Sequence, residues 1–554
     1  MKHLSTPDDL LAMQDRQMTL RSNERGTIVI PAGTCAQAFG VNEIIRTAKA
    51  EVLENYLAHR MHLRITGCHG DCAHEPSVML EPSQAYYPNV RTEDIPRIIN
   101  EGIDANESGK THTSVDLLAG ESLRRDALTF FKHQRRRILR KSELSDPMHI
   151  NDYLGAGGYS SLIRIIAMEN PAAAFSILRS SGIRERRGGC RALADVWEKF
   201  SKAPFREKKN LVCHADEGEA YSSINRSILE SNPHLLIEAM LICALLTNAT
   251  EGIISIAPHF DLAMKHLRLA MQQCRELGLL GKNILGTGKN FDLQLVPGTG
   301  SYFGMSATML MHFLEVDLAK IGAQNEAAHT SASHDETTLL HDAETWMNIP
   351  LLFEEHAQGK FSDDALHGSK LAHLNGLAGN SGVIEIPNGM SISDVLTHIG
   401  EVKAKDALKA IILLGDGAHL LPVHRGELRN ARNVDGAGWI LRDVGSIIPI
   451  DGSACIVDLA LYFATKLKNE LRSCCAACAE HAVKIHALVD ACTKGTSSSS
   501  SLDSLTALAH SLKEKCRCHG GKTVGQFVHD GLQHFRTEFE AHQRKTCSAK
   551  VCRF

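Results

Sequence analysis

The run KNLVCHADEGEAYSSINRSILESNPHLLIEAMLICALL, residues 209–246, decides the fold of this chain. It begins with an apolar strand-like segment, KNLVCHAD at 209–216, passes through a loop of acidic and small residues, and continues into an apolar helix. The same order follows at once, with strand-like EGIISIAP at 251–258 before the amphipathic FDLAMKHLRLAMQQCREL at 260–277. Strands that alternate with helices are typical of an α/β sheet, so we predict one such domain over residues 151–365.

Length and composition exclude several classes of protein. A chain of 554 residues is too long for a single hydrophobic core and predicts three or four domains. The hydrophobic share of 43% and the net charge of -4 are ordinary, so we expect neither a nucleic-acid partner nor direct membrane insertion. The N-terminus, MKHLSTPDDLLAMQD, has acids where a signal peptide would be apolar, which favours a cytoplasmic protein. The 16 Cys residues then favour metal ligands or small buried side chains over disulfides.

Four further segments surround the central domain. Residues 1–110 predict a small α/β unit whose cysteines lie on two neighbouring loops. Residues 111–150 are polar and basic, and we interpret them as a linker that wraps a neighbouring domain, with a solvated charge run as the alternative. Residues 366–430 carry short strands around a helix start, which suggests a β-grasp-like module. Residues 431–554 have a helical periodicity, broken by the serine run 497–501, which is most simply a flexible loop.

Five segments carry motifs in a specific order: DYLGAGGYSSL at 152–162, VCHADEGEAYSSINRSILESNPH at 212–234, GLLGKNILGTG at 278–288, CIVDLALYF at 455–463 and FRTEFEAH at 535–542. In this order they resemble the flavoprotein subunit that accepts NADH in respiratory complex I, in its longer form with a thioredoxin-like ferredoxin domain in front. The family also includes diaphorase subunits of NAD-linked formate dehydrogenases and hydrogenases. The resemblance implies a multidomain α/β fold: a thioredoxin-like domain, a flavoprotein-type α/β domain, a β-grasp-like module and a C-terminal helical bundle of iron–sulfur type.

The resemblance implies an FMN site, and this chain departs from its pattern. The family's glycine-rich phosphate loop aligns with RERRGGCRALADVW at 184–197, where Glu185 adds an anion. Glycines in such a loop let backbone N–H groups approach a phosphate. The residual FMN positions are Gly188, Gly189, Asp216, Glu217 and Thr345. The alternative phosphate ligands are Arg186 and Arg187.

Polar contacts are altered elsewhere in the same implied site. His214 stands where the family has an asparagine that bonds the flavin ring, and His341 and Asp342 replace two amides. Ser306 and Ala307 replace the glutamates that face the nicotinamide nucleotide. Because the apolar scaffold persists while these contacts change, we expect the FMN positions to be vacant and NADH binding to be lost.

The resemblance implies a [2Fe–2S] site in the front unit, and it is incomplete. Cys35, Cys68 and Cys72 fit three of the four thiolate positions, and Ile30 occupies the fourth. A hydrocarbon side chain offers no lone pair to a metal, so we expect an empty or unstable site. The alternatives for the fourth ligand are His69 and His74.

The resemblance implies a [4Fe–4S] site in the C-terminal domain, again with one ligand replaced. The register places Arg472 on the first ligand, Cys475 and Cys478 on the second and third, and Cys518 on the fourth. A guanidinium has no lone pair for a metal, so a retained cluster needs a substitute thiol, and Cys474 and Cys516 are the local candidates. One alternative is a zinc ion held by Cys474, Cys478, Cys516 and Cys518, or with His519. The other alternative is that these cysteines remain free thiols and bind no metal.

Two functions follow for the whole chain. We expect a non-catalytic structural or assembly subunit of a multisubunit redox complex, without catalytic residues. We expect no FMN and no other cofactor, apart from a [4Fe–4S] cluster or a zinc ion that the C-terminal site could hold. The alternative is an active FMN- and iron–sulfur-containing diaphorase that takes hydride from NADH and passes single electrons onward. Either function implies other subunits of a redox complex as partners.

Overall fold

Three sheets, with helices packed on them, are followed by a helical bundle. The computed structural model describes residues 3–24, 26–108, 123–168, 170–186, 191–203, 209–217, 222–300, 310, 337–360, 368–402, 408–415, 417–423, 444–470, 476–516 and 519–554. The chain is thus a multidomain α/β protein, which confirms the fold class predicted from the sequence.

The front unit is a five-stranded mixed sheet. Helix α1 (Pro7–Ser22) is followed by β1 (Thr27–Pro31), α2 (Thr34–Ala38), α3 (Val41–Glu54), β2 (His62–Thr66), β3 (Val78–Glu81), β4 (Ala85–Tyr87), α4 (Ile95–Ser108) and β5 (Leu123–Arg124). The strand order is β2-β1-β3-β4-β5, and β1 pairs with β2 in parallel. Parallel neighbours end at the same edge, so the loops after β1 and β2, which carry the cysteines, lie side by side.

The basic segment after this sheet packs against later parts of the chain. It contains α5 (Thr129–Lys132) and α6 (Ile138–Ser142). The guanidinium of Arg137 makes two bonds of 2.7 Å to the carboxylate of Glu355. The buried carboxylate of Glu385 accepts the backbone N–H groups of residues 137 and 139, at 2.7 and 3.0 Å. In the part that the structure describes, from residue 123 onward, the segment packs against the central unit and the second sheet through charged contacts.

The central unit contains a four-stranded sheet in which every pair is parallel, with the order β8-β7-β6-β9. Its elements are α7 (Ile150–Gly155), α8 (Ser160–Ala167), α9 (Pro171–Ser180), α10 (Leu193–Lys202), β6 (Asn210–Ala215), α11 (Ile224–Ser231), α12 (Pro233–Thr247), β7 (Glu251–Ile256), α13 (Asp261–Leu277), β8 (Asp292–Pro297), β9 (Thr338–Asp342) and α14 (Ala343–Ala357). Helix α12 is apolar on every side because it is buried almost throughout. Within the described ranges no single helix is long and apolar enough to span a membrane; α11 and α12 pass that test only together, bent by 91°.

A second five-stranded sheet follows, with the order β11-β10-β14-β12-β13. It is built from β10 (Ser369–Leu374), β11 (Gly382–Pro387), α15 (Ile392–Asp394) with a π turn at Val395–Ile399, β12 (Leu408–Gly415), β13 (Ala418–Pro422) and β14 (Val444–Asp451). One face of this sheet buries Ile384 and Ile411 in a core of its own, and the opposite face of β12, with Ile412, packs into the core of the C-terminal bundle.

The C-terminal bundle comprises α16 (Ile456–Glu470), α17 (Ala476–Thr493), α18 (Ser499–Lys515), α19 (His519–His534) and α20 (Arg536–Gln543). The serine run differs from the expected flexible loop. The Ser498 hydroxyl accepts the N–H of Ser501 and caps α18, so most of the run forms the first turn of a helix. Serine competes well for an N-cap position, which outweighs its low propensity for helix interiors.

We predict that Glu385→Ala detaches the basic segment. Removing the carboxylate leaves several buried N–H groups without an acceptor, so the free energy of unfolding should fall by about 3 kcal/mol or more. Glu385→Gln keeps one acceptor oxygen and should cost about 1 kcal/mol. Urea unfolding followed by circular dichroism measures both variants. Glu54→Ala, at an exposed position of α3, is the matched control, and an equal loss in all three variants would contradict the prediction.

Candidate functional site

The carboxyl edge of the central parallel sheet carries the polar residues of the candidate site. Asp216 and Glu217 follow β6, Gly298 follows β8, and Thr345 lies in the first turn of α14 after β9. In open parallel sheets, ligands bind outside the carboxyl ends of the strands. Three of the five predicted FMN positions are therefore brought to one edge; Gly188 and Gly189 lie outside the described residues, as do Arg187, Ser306 and Ala307.

Asp216 has a buried carboxylate with one oxygen engaged. Its Oδ2 accepts the N–H of Thr299 at 3.1 Å, and its Oδ1 is buried without a hydrogen-bond partner among the described residues. Burial raises the pKa of this carboxyl above its ordinary value. A Cβ on Gly298 would come within 2.2 Å of both Asp216 oxygens, so only glycine permits this approach. The arrangement holds the Asp216 carboxylate against the backbone of Gly298 and leaves its Oδ1 as a buried acceptor.

Glu217 has a different role from Asp216. Its carboxylate accepts the N–H groups of Ile224 at 3.0 Å and Arg226 at 3.1 Å, and thereby caps α11. It also accepts the hydroxyl of Ser222. The N-terminal N–H groups of a helix have no partner within the helix, and a carboxylate satisfies them well. Glu217 therefore positions α11 at the edge of the site.

Thr345 connects two sides of the site. Its hydroxyl donates to Asp342 Oδ2 at 2.6 Å and accepts the backbone N–H of Arg186 at 2.9 Å. The guanidinium of Arg186 is buried, its Nε has no hydrogen-bond partner among the described residues, and burial lowers its pKa. The nearest carboxylate is Glu344 at 3.7 Å, which already bonds Lys370 at 2.6 Å. Arg186 is thus a buried cation whose Nε–H donor is available to a ligand.

Glu185 does not direct an uncompensated charge into the site. Its carboxylate bonds the guanidinium of Arg191 at 2.7 and 2.8 Å and lies 3.2 Å from Nδ1 of His341. Burial by itself would raise the pKa of Glu185, and the bonds from His341 and Arg191 outweigh it and hold that pKa below its usual range. The opposite nitrogen of His341 accepts from Nε1 of Trp197 at 3.0 Å.

The three front-unit cysteines meet where that unit contacts α11. Cys35 and Cys72 lie with their sulfurs 3.9 Å apart, and the Cys35 sulfur accepts from Nη2 of Arg226 at 3.4 Å. Contact with Cys72, together with Arg226, lowers the pKa of Cys35 to about 6 against the effect of burial. Cys68 is buried, and its N–H donates to the Ser231 hydroxyl at 2.7 Å.

The two histidines considered for the front site have other partners. His69 lies with Nε2 2.8 Å from the hydroxyl of Thr66, and burial lowers its pKa to about 3. His74 pairs with the Asp71 carboxylate at 2.8 Å, and this bond raises its pKa.

The predicted C-terminal cluster site is described in part. Cys478 and Cys516 are buried with their sulfurs 2.7 Å apart. Arg472, Cys474, Cys475 and Cys518 lie outside the described residues. Cys516, which the sequence offered both as a local substitute for the missing thiolate and as a zinc ligand, is the described neighbour of a predicted cluster ligand.

A second thiol group in the bundle was missed by the sequence analysis. Cys455, His542, Cys547 and Cys552 place their donor atoms within 4.8 Å of one another, and within the described ranges no other set of three or more donors does so. Three sulfurs and one imidazole are a donor set typical of a structural zinc site. The available signal was the equal spacing of His542, Cys547 and Cys552 near the C-terminus.

The orientation of His542 suits metal binding. Its Nδ1 lies 2.7 Å from the carbonyl oxygen of Glu538, an acceptor, so Nδ1 carries the proton. Nε2 then presents its lone pair 3.5 Å from the Cys455 sulfur. A histidine ligand usually donates its other ring N–H to such a carbonyl, which fixes the ring and its tautomer. The residues present therefore fit a tetrahedral metal ion.

Comparison with known proteins adds independent findings. The Nuo51 FMN-binding domain matches residues 178–351, and the NADH-ubiquinone oxidoreductase-F iron-sulfur binding region matches residues 458–542. The chain is 29% identical over 430 residues to the NADP-reducing hydrogenase subunit HndC of Solidesulfovibrio fructosivorans, covering 77% of this chain and 87% of the relative. It is 26% identical over 401 residues to a subunit of the NADH-quinone oxidoreductase of Escherichia coli, covering 71% and 90%.

A solved structure has the same fold. The crystal structure of an NAD+-reducing [NiFe]-hydrogenase in the H2-reduced state contains a chain that matches with a TM-score of 0.59, over 94% of this chain and 84% of that one. The sequence identity is 17%, so the likeness concerns the fold alone.

These findings correct the expectation that the chain has lost its cofactors. The segment with the altered FMN motifs matches an FMN-binding domain, and the segment with Arg472 matches an iron–sulfur binding region. The expectation of no FMN and no cofactor was therefore wrong. The expectation treated Glu185 as an anion that would repel a phosphate. In the structure this carboxylate pairs with Arg191 and lies 3.2 Å from His341, so it adds no uncompensated charge there.

We predict that Cys547→Ala removes about one zinc ion per chain from the purified protein, because a structural site needs all four ligands. The thermal midpoint of the bundle should fall as well, since the metal fastens the C-terminal tail to α16. Elemental analysis by mass spectrometry measures the metal. Cys213→Ala, in the central core, should keep the zinc, and equal zinc in the wild type and the Cys547→Ala variant would contradict the assignment.

Proposed function

We propose that this chain, a homologue of an NADH-quinone oxidoreductase subunit and of the hydrogenase subunit HndC, is an FMN- and iron–sulfur-containing diaphorase subunit. It would exchange electrons between a nicotinamide nucleotide and the other subunits of an oxidoreductase complex. This is the alternative that the sequence analysis left open, and it agrees better with the domain matches than a non-catalytic subunit without cofactors does.

One observation carries the proposal. The FMN-binding match spans the sheet whose carboxyl edge holds two buried polar atoms without a hydrogen-bond partner among the described residues, Asp216 Oδ1 and Arg186 Nε. Buried polar atoms are costly unless a partner satisfies them. A ligand that has both an anionic group and hydrogen-bond donors would satisfy this pair, and FMN has both.

The described residues support distinct roles toward such a ligand. Arg186 would bind the phosphate, because a guanidinium offers donors in the geometry that a phosphate accepts. Asp216 would accept a hydrogen bond from a hydroxyl or ring N–H, and Gly298 allows the Asp216 carboxylate to lie against the backbone in this position. Thr345 orients the backbone of Arg186. Bound FMN would supply hydride acceptance and the release of electrons one at a time.

The C-terminal bundle would hold an iron–sulfur cluster. Cys475, Cys478 and Cys518 remain the proposed ligands, and the fourth would come from a neighbouring thiol, Cys474 or Cys516. Cys516 is the thiol that the described residues place next to Cys478; their sulfurs, 2.7 Å apart, would have to separate for each to bind its own iron atom. Four thiolates are the usual ligand set for such a cluster.

Partners follow from the names of the relatives, which are subunits of NADH-quinone oxidoreductases and of a hydrogenase. We therefore assign this chain to a multisubunit redox complex, without nucleic acid and without direct membrane insertion. The cytoplasmic location expected from the sequence stays a prediction.

The test is the flavin content of the protein purified from its own cells. We expect about one FMN per chain on heat release, and NADH-dependent reduction of ferricyanide. Asp216→Ala should lower flavin occupancy about tenfold at limiting FMN, the effect of losing one charged hydrogen bond. Asp195→Ala, at an exposed site on α10, should leave it unchanged. Native protein without flavin or NADH oxidation would instead support a non-catalytic structural subunit.

A further inference from the structure

Two half-buried cysteines of the front unit lie in contact across neighbouring loops. Cys35 follows β1, Cys72 lies in the loop after β2, and their sulfurs are 3.9 Å apart. The loops are held side by side by the parallel pairing of β1 and β2. Small side-chain rotations can bring two sulfurs at this separation to bonding distance without moving the strands.

The front unit lacks the fourth thiolate of a [2Fe–2S] site. Ile30 occupies that position, and its side chain is fully buried in the hydrocarbon core of the front unit. The third thiol, Cys68, is buried and its sulfur accepts the N–H of Gly70 at 3.2 Å. The accessible pair is therefore Cys35 and Cys72.

A partly buried cation, Arg226, lies beside one sulfur of this pair. Nη2 of Arg226 donates to the Cys35 sulfur at 3.4 Å, and its Nε has no hydrogen-bond partner among the described residues. Glu230 is 3.8 Å from Arg226 Nε, and it also binds the backbone N–H of Thr34 at 2.9 Å. A cation next to a cysteine favours the thiolate, which is the nucleophile in thiol–disulfide exchange.

We propose that Cys35 and Cys72 form a redox-active dithiol that a low-molecular-weight disulfide, such as glutathione disulfide, converts to a disulfide. The Cys35 thiolate attacks one sulfur of the oxidant, forms a mixed disulfide and releases one thiolate. Cys72 then loses its proton and attacks the Cys35 sulfur, which releases the second thiolate. Two protein thiols are oxidised, and one glutathione disulfide is reduced to two glutathione molecules.

The dithiol lies close to the proposed flavin edge. Arg226, which contacts Cys35, donates its backbone N–H to Glu217 at 3.1 Å. Disulfide formation would remove the thiolate that faces Arg226 and change the contact between the front unit and α11. This inference does not require bound FMN, so its failure and that of the proposed diaphorase activity are separate results.

The full-length chain is treated with glutathione disulfide, alkylated at low pH, digested and examined by mass spectrometry. We expect one peptide pair joined through Cys35 and Cys72, which dithiothreitol reverses. Cys72→Ser should abolish the pair and leave glutathione on Cys35, whereas Cys68→Ser should keep it. Full alkylation of both cysteines in the treated wild type would overturn the proposal. It would also be overturned if the wild type contained about two iron atoms per chain that the Cys35→Ser variant lacks, because these would indicate a [2Fe–2S] cluster.

The role of the cation is tested by rate. Arg226→Gln should slow the reaction of Cys35 with glutathione disulfide about tenfold at neutral pH, because the thiolate loses its neighbouring charge. Arg226→Lys should recover part of the rate. Arg46→Gln, an exposed arginine of α3, is the matched control. Equal rates for Arg226→Gln and the wild type would overturn the assigned role of Arg226.

Discussion

Helix α11 depends on the carboxylate of Glu217, and the contact between the central and front units depends on α11. Glu217 satisfies N–H groups at the start of the helix, and Ser231 at its end accepts the N–H of Cys68. A Cβ on Gly67 would come within 2.1 Å of the Ser231 backbone, so the front unit approaches as closely as a glycine allows. The two acidic residues after β6 therefore have different roles. Glu217 caps α11, whereas Asp216 keeps a buried acceptor oxygen that a ligand could use.

Buried carboxylates specify the other contacts between units. Glu143 is fully buried with Arg125 and Arg136, and although burial would raise its pKa, these guanidinium groups hold that pKa well below its usual range. A carboxyl whose folded pKa is depressed adds stability above its ordinary pKa and loses that contribution as the pH falls. Glu385 similarly fixes the start of α6. The basic segment is therefore placed by buried charge pairs, which tolerate little displacement, together with apolar side chains such as Phe130 and Ile138.

Within the described ranges, three geometrically distinct groups of cysteines stand apart from those that lie singly in the cores, such as Cys213. Cys35 and Cys72 are half-buried beside the guanidinium of Arg226. Cys478 and Cys516 lie within the segment that matches the iron–sulfur binding region. Cys455 lies close to donor atoms of the C-terminal segment. Each environment suits a different chemistry: thiol exchange needs access and a thiolate, a cluster needs four converging sulfurs, and a structural ion needs a closed tetrahedral set. Counting cysteines along the sequence does not separate these cases, because donors from distant segments decide them.

The sequence by itself determined the α/β class, the alternation of strands and helices, and the position of Asp216 at a strand end, since these follow from local periodicity. It also placed the front cysteines after two neighbouring strands, although Cys35 lies in α2 and not in a loop. It did not show that Glu185 is compensated by Arg191 and lies 3.2 Å from His341 on β9, and this omission led to the wrong cofactor expectation. Only the tertiary structure brought Cys455 to His542, 87 residues away, because such pairs depend on how helices pack against one another and not on any local pattern.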